Sequence, residues 1–333
     1  MEYCSLVDLA QKNVLVTGGA GFVGSTLADA LVAGGARVTI LDNLSTGFRQ
    51  FVREDGVRFV EGDLLDQKVL NEVVRGQDFV FHFAANADVR NGTSHPRQDI
   101  EQNLIATHNV LEAMRLNGVN QIAFSSTGSI YGEPTVFPTP EDCPFPIQTS
   151  LYGASKVGAE GLLSAYAFGF GFTTWIFRFV SLLGPRYSHG HIIDFWKSLK
   201  RDPSSLFILG DGSQRKSYLH IQDCVSAMFL AISRAPAAEP KTNVHIYNLG
   251  QNDWIHVKES VSLICAELGV TPTLRYGGGE RGWVGDAPRI LLDTSRIRAL
   301  GWEPKKTIAT SVVETVRYLN EHPFVAQRGE PNI

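Results

Sequence analysis

Short, nearly continuous apolar runs alternate with stretches of helical apolar spacing through the first half of the chain. Asn13–Thr17 (NVLVT), Arg37–Asp42 (RVTILD) and Val57–Glu61 (VRFVE) read as strands. So do 78–84 (DFVFHFA), 121–125 (QIAFS) and Thr173–Phe179 (TTWIFRF). Between them 25–33, Gln67–Val74, 99–116 and 153–168 carry apolar residues at helical intervals. Strands that are apolar at almost every position need cover on both faces, so the pattern predicts a parallel sheet between two helix layers. The right-handed crossover rule makes it a doubly wound α/β sheet of Rossmann type.

The pattern changes near residue 180. Strands become rarer and Gly/Pro loops more frequent. Val244–Leu249 (VHIYNL) is one more strand able to rejoin the sheet, and helices are expected at Val257–Leu268, 294–300 and Ile308–Glu321. The expected organisation is a sheet domain over 1–180 plus about 243–252, and a smaller, partly discontinuous α/β domain over 181–242 and 253–333. Five prolines at 134–146 predict an ordered, irregular loop.

Composition narrows the class. The 333 residues carry a net charge of −4 with acids and bases interleaved, which argues against a nucleic-acid binder. Cys4, Cys143, Cys224 and Cys265 form no CxxC pair and no His/Cys cluster, so they read as reduced thiols of a cytoplasmic protein. No uninterrupted apolar stretch is long enough for a membrane span, and the first residues lack a secretory pattern. Asn91-Gly-Thr93 matches a glycosylation sequon by chance in such a setting.

The candidate chemistry begins at TGGAGFVGS, residues 17–25. Gly18, Gly21 and Gly24 follow a strand and open a helix. The first lets the chain turn, the second lets backbone approach a pyrophosphate, and the third lets helix and strand pack closely. The helix N-terminus at Phe22 and Val23 offers amides and partial positive charge to the phosphates. Asp42 ends the second strand, where a carboxylate accepts both ribose hydroxyls and repels the extra phosphate of NADP. No Lys or Arg follows at Asn43, Leu44 or Ser45, so NAD is the expected cofactor. Asp63, in GDLLD, can accept from the adenine amino group; as a helix cap it would be equally ordinary.

Tyr152-Gly-Ala-Ser-Lys156 puts a phenol and an ammonium four residues apart, on one face of a helix. A nearby cation is expected to lower the phenol's pKa and make Tyr152 a base.

Taken in order, TGGAGFVGS, Asp42, GDLLD, HFAA at 82–85, FSSTGSIYG at 124–132, YGASK and RFVSLLGPR at 178–186 resemble the extended short-chain dehydrogenase/reductase superfamily. Within it they resemble the NAD-dependent nucleotide-sugar epimerase/dehydratase family, of UDP-glucose 4-epimerase-like type. GDGSQRKSYLHIQDC (210–224) and GWVGDAPRILLDTSRIRALGW (282–302) extend the likeness into the second half. The resemblance implies a catalytic triad of Thr127, Tyr152 and Lys156, with Ser126 a neighbouring donor to substrate. It implies cofactor contacts at Gly18, Gly21, Phe22, Val23, Asp42 and Asn43. It implies further ones at Asp63, Leu64, Ala84, Ala85, Ser125, Tyr152 and Lys156.

The reaction follows from what is missing. A 4,6-dehydratase needs an acid–base pair after the catalytic Thr, and a decarboxylase of this family a Glu. Here Gly128 and Ser129 stand there, so neither proton transfer is served. A 4-epimerase needs only the base, the hydroxyl and NAD. The expected function is a nucleotide-sugar 4-epimerase of the UDP-hexose or UDP-uronate class, with a transient 4-keto sugar. A dehydratase, a net oxidoreductase and a non-catalytic NAD-binding protein are the alternatives.

On the substrate side Arg215, Lys216 and Arg281 are the candidate cations for a diphosphate. The family's usual Arg falls at Lys216. Ser181 stands where many 4-epimerases have Asn, and Arg186 in GPRYSHGH is a candidate partner for a sugar carboxylate. The His189-x-His191 pair has no nearby Cys or carboxylate, so no metal is expected. The resemblance also implies a homodimer through 99–116 and 153–168, where Gly153, Ala154, Gly158, Ala159 and Gly161 permit close helix contact.

Overall fold

The computed structural model describes residues 9–87, 92, 94–144, 147–234, 243–279 and 289–327. The chain opens with β1 (Asn13–Thr17), α1 (Phe22–Ala33), β2 (Arg37–Asp42), a short 3-10 turn at Arg49–Phe51, β3 (Val57–Glu61), α2 (Gln67–Val74) and β4 (Phe79–His82). Next comes one continuous helical stretch: α3 (Pro96–Asp99), a π-helical segment (Ile100–Ile105) and α4 (Ala106–Leu116). It is followed by β5 (Gln121–Thr127), a 3-10 turn (Gly128–Tyr131), α5 (Leu151–Phe170) and β6 (Thr173–Phe179).

These strands form a seven-stranded sheet in the order β11-β6-β5-β4-β1-β2-β3, parallel at every pairing. Its last member, β11 (Val244–Leu249), lies beside β6 after a long excursion. Alternation along each strand builds two cores. Val14, Val16, Phe79, Phe81, Ala123 and Phe177 face one side, with Leu27 of α1 and Phe229 of α7 (Ile221–Arg234). Leu15, Val80, Ile122, Phe124 and Ile176 face the other, with Val110 and Met114 of α4 and Leu163 of α5. A strand apolar at every position is the consequence, because both faces are covered.

The second half supplies β7 (Ser181–Leu183), α6 (His191–Arg201), β8 (Ser205–Ile208), β9 (Arg215–Lys216) and β10 (Tyr218–His220) before α7. After β11 come β12 (Ile255–His256), α8 (Val257–Leu268), β13 (Thr273–Tyr276), α9 (Ser295–Ala299), α10 (Ile308–Glu321) and α11 (Phe324–Gln327). The short strands pair two by two, β10 with β7, β12 with β9 and β13 with β8. The α1/α7 core continues into this half through Trp196, Ile264 and Val316, so the halves share one apolar interior. Among the described residues no helix is long and apolar enough to cross a membrane.

Helix starts are marked by side-chain caps: Asp66 on α2, Ser150 on α5 and Thr307 on α10. Each such cap contributes about 1 kcal/mol. By contrast α1 starts at Gly21 with no side-chain cap. Its N-terminal amides point out at the carboxyl ends of the strands, where open α/β sheets bind ligands.

Candidate active site

After β1 the chain turns at Gly18, whose φ of +70° is the left-handed region. A Cβ there would lie 2.6 Å from the Ala84 amide nitrogen, and one at Gly24 would lie 2.2 Å from Gly18 O. At Gly21 a Cβ would meet Gly18 O at 3.2 Å, a milder contact on the rim of the loop. Gly18 thus makes the turn and Gly24 allows the close packing that their spacing predicts. Gly19 has a role the spacing did not suggest, since a Cβ there would collide with the Ile40 side chain at 2.6 Å.

Asp42 is 8% exposed at the end of β2. Its Oδ2 accepts from the Ala20 amide at 2.9 Å and its Oδ1 from Leu44 at 2.8 Å. These bonds lock the carboxylate against the glycine loop. Asn43 Nδ2 donates to Asp63 Oδ2 at 2.8 Å, which joins the loops after β2 and β3. Leu64 is buried, and the Ala84 amide donates to Thr17 Oγ1 at 3.3 Å. An uncapped helix end, a tight glycine turn leading into it and a fixed strand-end carboxylate fit a dinucleotide.

The second cluster gathers where β5 ends and α5 begins. The Ser150 hydroxyl accepts from the Gly153 amide at 3.0 Å, which starts α5 and puts Tyr152 in its first turn. The Thr127 hydroxyl lies beside the Tyr152 phenol and favours its ionised form. Thr127 Oγ1 also accepts from the Ser129 amide at 3.1 Å, so the 3-10 turn aims it. One turn along the helix, Lys156 is 1% exposed. Its ammonium donates to Ser125 O at 2.9 Å and sits 4.6 Å over the Phe124 ring.

The expected lowering of the Tyr152 pKa by Lys156 is corrected here. Burial pushes the phenol up to about 12, opposed by the neighbouring Thr127 hydroxyl, and Asp99 adds to the rise. Lys156 itself falls to about 7, because burial outweighs the pull of Glu160 and Asp99. Without cofactor the pair is therefore a neutral phenol beside a half-discharged amine.

The sign of the linkage gives a test. Lys156 binds its proton less tightly folded than unfolded, so it burdens the fold increasingly as pH falls from 10.5 to about 7. In cofactor-stripped protein, Lys156→Met should raise Tm most near pH 7, with the gain shrinking toward pH 10.5. A difference constant across that window contradicts the account.

Sequence reading missed a polar cluster next to this pair. Asp99 and Asn103 are buried where the helix takes π geometry. Asn86 Nδ2 donates to Asp99 Oδ1 at 2.9 Å, and the Asn86 amide donates to Asn103 Oδ1 at 2.9 Å. The cluster fixes the segment after Ala84 and Ala85. Asp99 and Asn103, an Asp and an Asn four residues apart inside a helix-period pattern, were its available signal.

Two site residues are corrected. Ser126 was expected to reach substrate, but it is 2% exposed and donates to Glu160 Oε1. It is in register with Arg178 of β6, and both turn toward Glu160 of α5. Arg186 was expected to meet a sugar carboxylate, but its Nη2 pairs with Asp29 of α1 at 2.7 Å. Tyr318 of α10 lies near the same guanidinium, whose positive charge partly offsets the rise that burial gives the phenol's pKa. Arg186 ties the two halves together.

The other substrate-side residues are placed as follows. Ser181 is exposed at the start of β7. Arg215 and Lys216 are neighbours on β9, so their side chains leave on opposite sides. The Arg215 guanidinium lies 5.0 Å over the ring of Trp254, an exposed aromatic that spacing had not singled out. Arg281 lies outside the described residues.

Residues 14–250 match the NAD dependent epimerase/dehydratase family. The chain is 34% identical to a UDP-glucose 4-epimerase of Corynebacterium glutamicum over 319 residues, covering 91% of this chain and 94% of that one. It resembles the crystal structure of a UDP-galactose 4-epimerase with a TM-score of 0.84 and 37% identity, over 93% of this chain and 99% of that one. A Thermus thermophilus UDP-glucose 4-epimerase solved as a complex with NAD gives a TM-score of 0.82 at 32% identity, over 93% and 99%. With its glycine loop, its strand-end Asp42 and its Thr127–Tyr152–Lys156 cluster in one parallel sheet, the chain belongs to the NAD-dependent epimerase/dehydratase family.

Proposed function

We propose that this protein is an NAD-dependent 4-epimerase of UDP sugars, of the hexose or uronate class. One observation carries the reading: the Thr127 hydroxyl lies beside the Tyr152 phenol with Lys156 a turn away, while Gly128 and Ser129 leave no carboxylate next to Thr127. Tyr152 must first give up its own proton, which burial resists and the positive charge of bound NAD and of a protonated Lys156 would favour. As the phenolate it takes the proton of the sugar's 4-hydroxyl and later returns it, and Thr127 orients that hydroxyl. Lys156, freed from Ser125 O, holds the nicotinamide ribose. Asp42 holds the adenine-side ribose, and the α1 N-terminus holds the pyrophosphate. Bound NAD supplies a reversible two-electron acceptor for the C4 hydrogen. A dehydratase would need a further acid at 128–129, where this chain has none. The names of the relatives support UDP as the nucleotide.

Ser181 borders the sugar in this reading, while Lys216, Arg215 on Trp254 and Arg281 answer the diphosphate. The cofactor domain is 1–180 with about 243–252, and the remainder holds the nucleotide sugar. The free thiols Cys143, Cys224 and Cys265 suit a cytoplasmic enzyme. The purified protein should invert C4 in at least one of UDP-glucose, UDP-N-acetylglucosamine and UDP-glucuronate, and release NAD, not NADP, on denaturation. A 4-keto-6-deoxy product, or no inversion of any of the three, contradicts the proposal.

The protein acts as a homodimer through α4 and α5. Gly153 and Ala159 are buried within the subunit and Gly158 packs on Leu104, so they do not form the outer face. That face is Ala154, Gly161, Ala165 and Phe168, beside Ile105. A Cβ on Gly161 would meet no atom within 4 Å. Light scattering should return twice the 36.5 kDa subunit mass; a monomer removes the dimer.

A further inference from the structure

His82, at the end of β4, is wholly buried, and the proposed chemistry does not use it. Its two ring nitrogens bond two threonines from different elements. Nδ1 is 2.8 Å from Thr17 Oγ1 and Nε2 is 3.0 Å from Thr107 Oγ1.

The surrounding bonds fix which nitrogen carries the proton. Thr107 Oγ1 donates to Asn103 O at 2.5 Å, so it must accept from His82 Nε2–H. Thr17 Oγ1 accepts from the Phe83 and Ala84 amides at 3.2 and 3.3 Å, so it donates to an unprotonated Nδ1. Burial, with Lys156 nearby, lowers the ring pKa to about 3 and keeps this neutral form. The bonds then run in one sense. Beyond Thr107, Asn103 Nδ2 donates to Ser155 Oγ at 3.0 Å, and Ser155 Oγ donates to Tyr152 O at 2.8 Å.

We propose that His82 is a positioning residue that couples the glycine loop to the catalytic helix. Thr17 is the residue before Gly18, where the phosphate loop starts. Ser155 lies between Tyr152 and Lys156. The ring also lies 5.6 Å from Phe124, the aromatic ring that Lys156 covers. Thr17, His82, Thr107, Asn103 and Ser155 are each at most 4% exposed, so water cannot replace a lost partner cheaply. A change at one end of this dry chain therefore alters the spacing between the phosphate end and the ribose end of one cofactor.

The inference rests on the cofactor and epimerase reading above, and its test separates the two. Thr17→Val and Thr107→Val keep shape and each remove the bond to one ring nitrogen. Each should lower kcat by between about tenfold and a hundredfold with KM little changed. The double variant should lose no more than the worse single one, because one broken link already uncouples the chain. Thr107→Ser, which keeps the hydroxyl, should recover most of the loss of Thr107→Val. NAD affinity, measured by calorimetry on stripped protein, should show the same non-additivity. Multiplying losses in the double variant overturn the inference. So does a lowered Tm with kcat, KM and NAD affinity intact. If wild type inverts no sugar yet NAD affinity is non-additive, the epimerase reading fails and the coupling stands.

Discussion

Tyr152→Phe is expected to lower turnover on the UDP sugar by about 10²–10⁴-fold, the usual weight of one general acid–base group. Phe fills the same slot at the start of α5, so the fold and bound NAD should be retained. What is lost is the phenol oxygen beside Thr127, which the proposed chemistry uses to exchange a proton with the sugar. The effect should fall on kcat, since the phenol's contribution belongs to the proton in flight. The steady-state rate, together with the amount of NAD released on denaturation, checks both halves. Unchanged turnover would remove Tyr152 from the chemistry. Lost NAD would mean that its role is in cofactor binding.

The second large effect concerns stability. Arg178 and Glu160, 2% and 4% exposed, form a bidentate pair with contacts of 2.7 and 3.1 Å. Arg178 also donates to the Tyr131 hydroxyl at 2.7 Å and Glu141 O at 2.8 Å, and Tyr131 donates to Asn248 Oδ1. This network joins the 3-10 turn at Gly128–Tyr131 to α5, β6 and β11. Glu160→Ala leaves a buried guanidinium without its counter-ion, which costs about 3–5 kcal/mol. For a chain of this size the Tm should fall by on the order of 10 °C. The double change Glu160→Leu with Arg178→Met removes both charges and should cost less than Glu160→Ala alone. Thermal unfolding of the three proteins measures this. A double variant less stable than Glu160→Ala would show that the pair stabilises beyond balancing its own burial.

These two predictions use what the sequence makes readable and what it hides. The inner strands of the large sheet stand out because burial on both faces makes them apolar, while the edge strands β3 and β11 are only partly buried and keep polar positions. Strands β7, β9, β10, β12 and β13 have two to four residues and exist through their partners, so no period announces them. The π-helical segment at Ile100–Ile105 hides inside an ordinary helical pattern. Ser126 was misplaced because the fifth strand was ended at 125. It runs to Thr127, and period-two alternation then turns Ser126 away from Thr127. Arg186 was misread because its partner Asp29 lies 157 residues earlier, a distance local spacing cannot reach. The glycine loop, Asp42 and the Tyr152/Lys156 pair were legible because their chemistry is local: a turn, a strand end and one helical turn. The solvation that sets the charge state of Tyr152 and Lys156 is a property of the assembled fold.

The central claim is that the C4 hydrogen of the sugar leaves for NAD within the site and returns to the same carbon. It is tested by incubating the purified protein with UDP-glucose deuterated at C4, or whichever UDP sugar it inverts, in ordinary water. The account predicts that the C4-inverted product keeps its deuterium, with no NADH accumulating at 340 nm. Deuterium lost to water would mean proton abstraction at carbon, and deuterium in free NADH would mean net oxidation; either contradicts it.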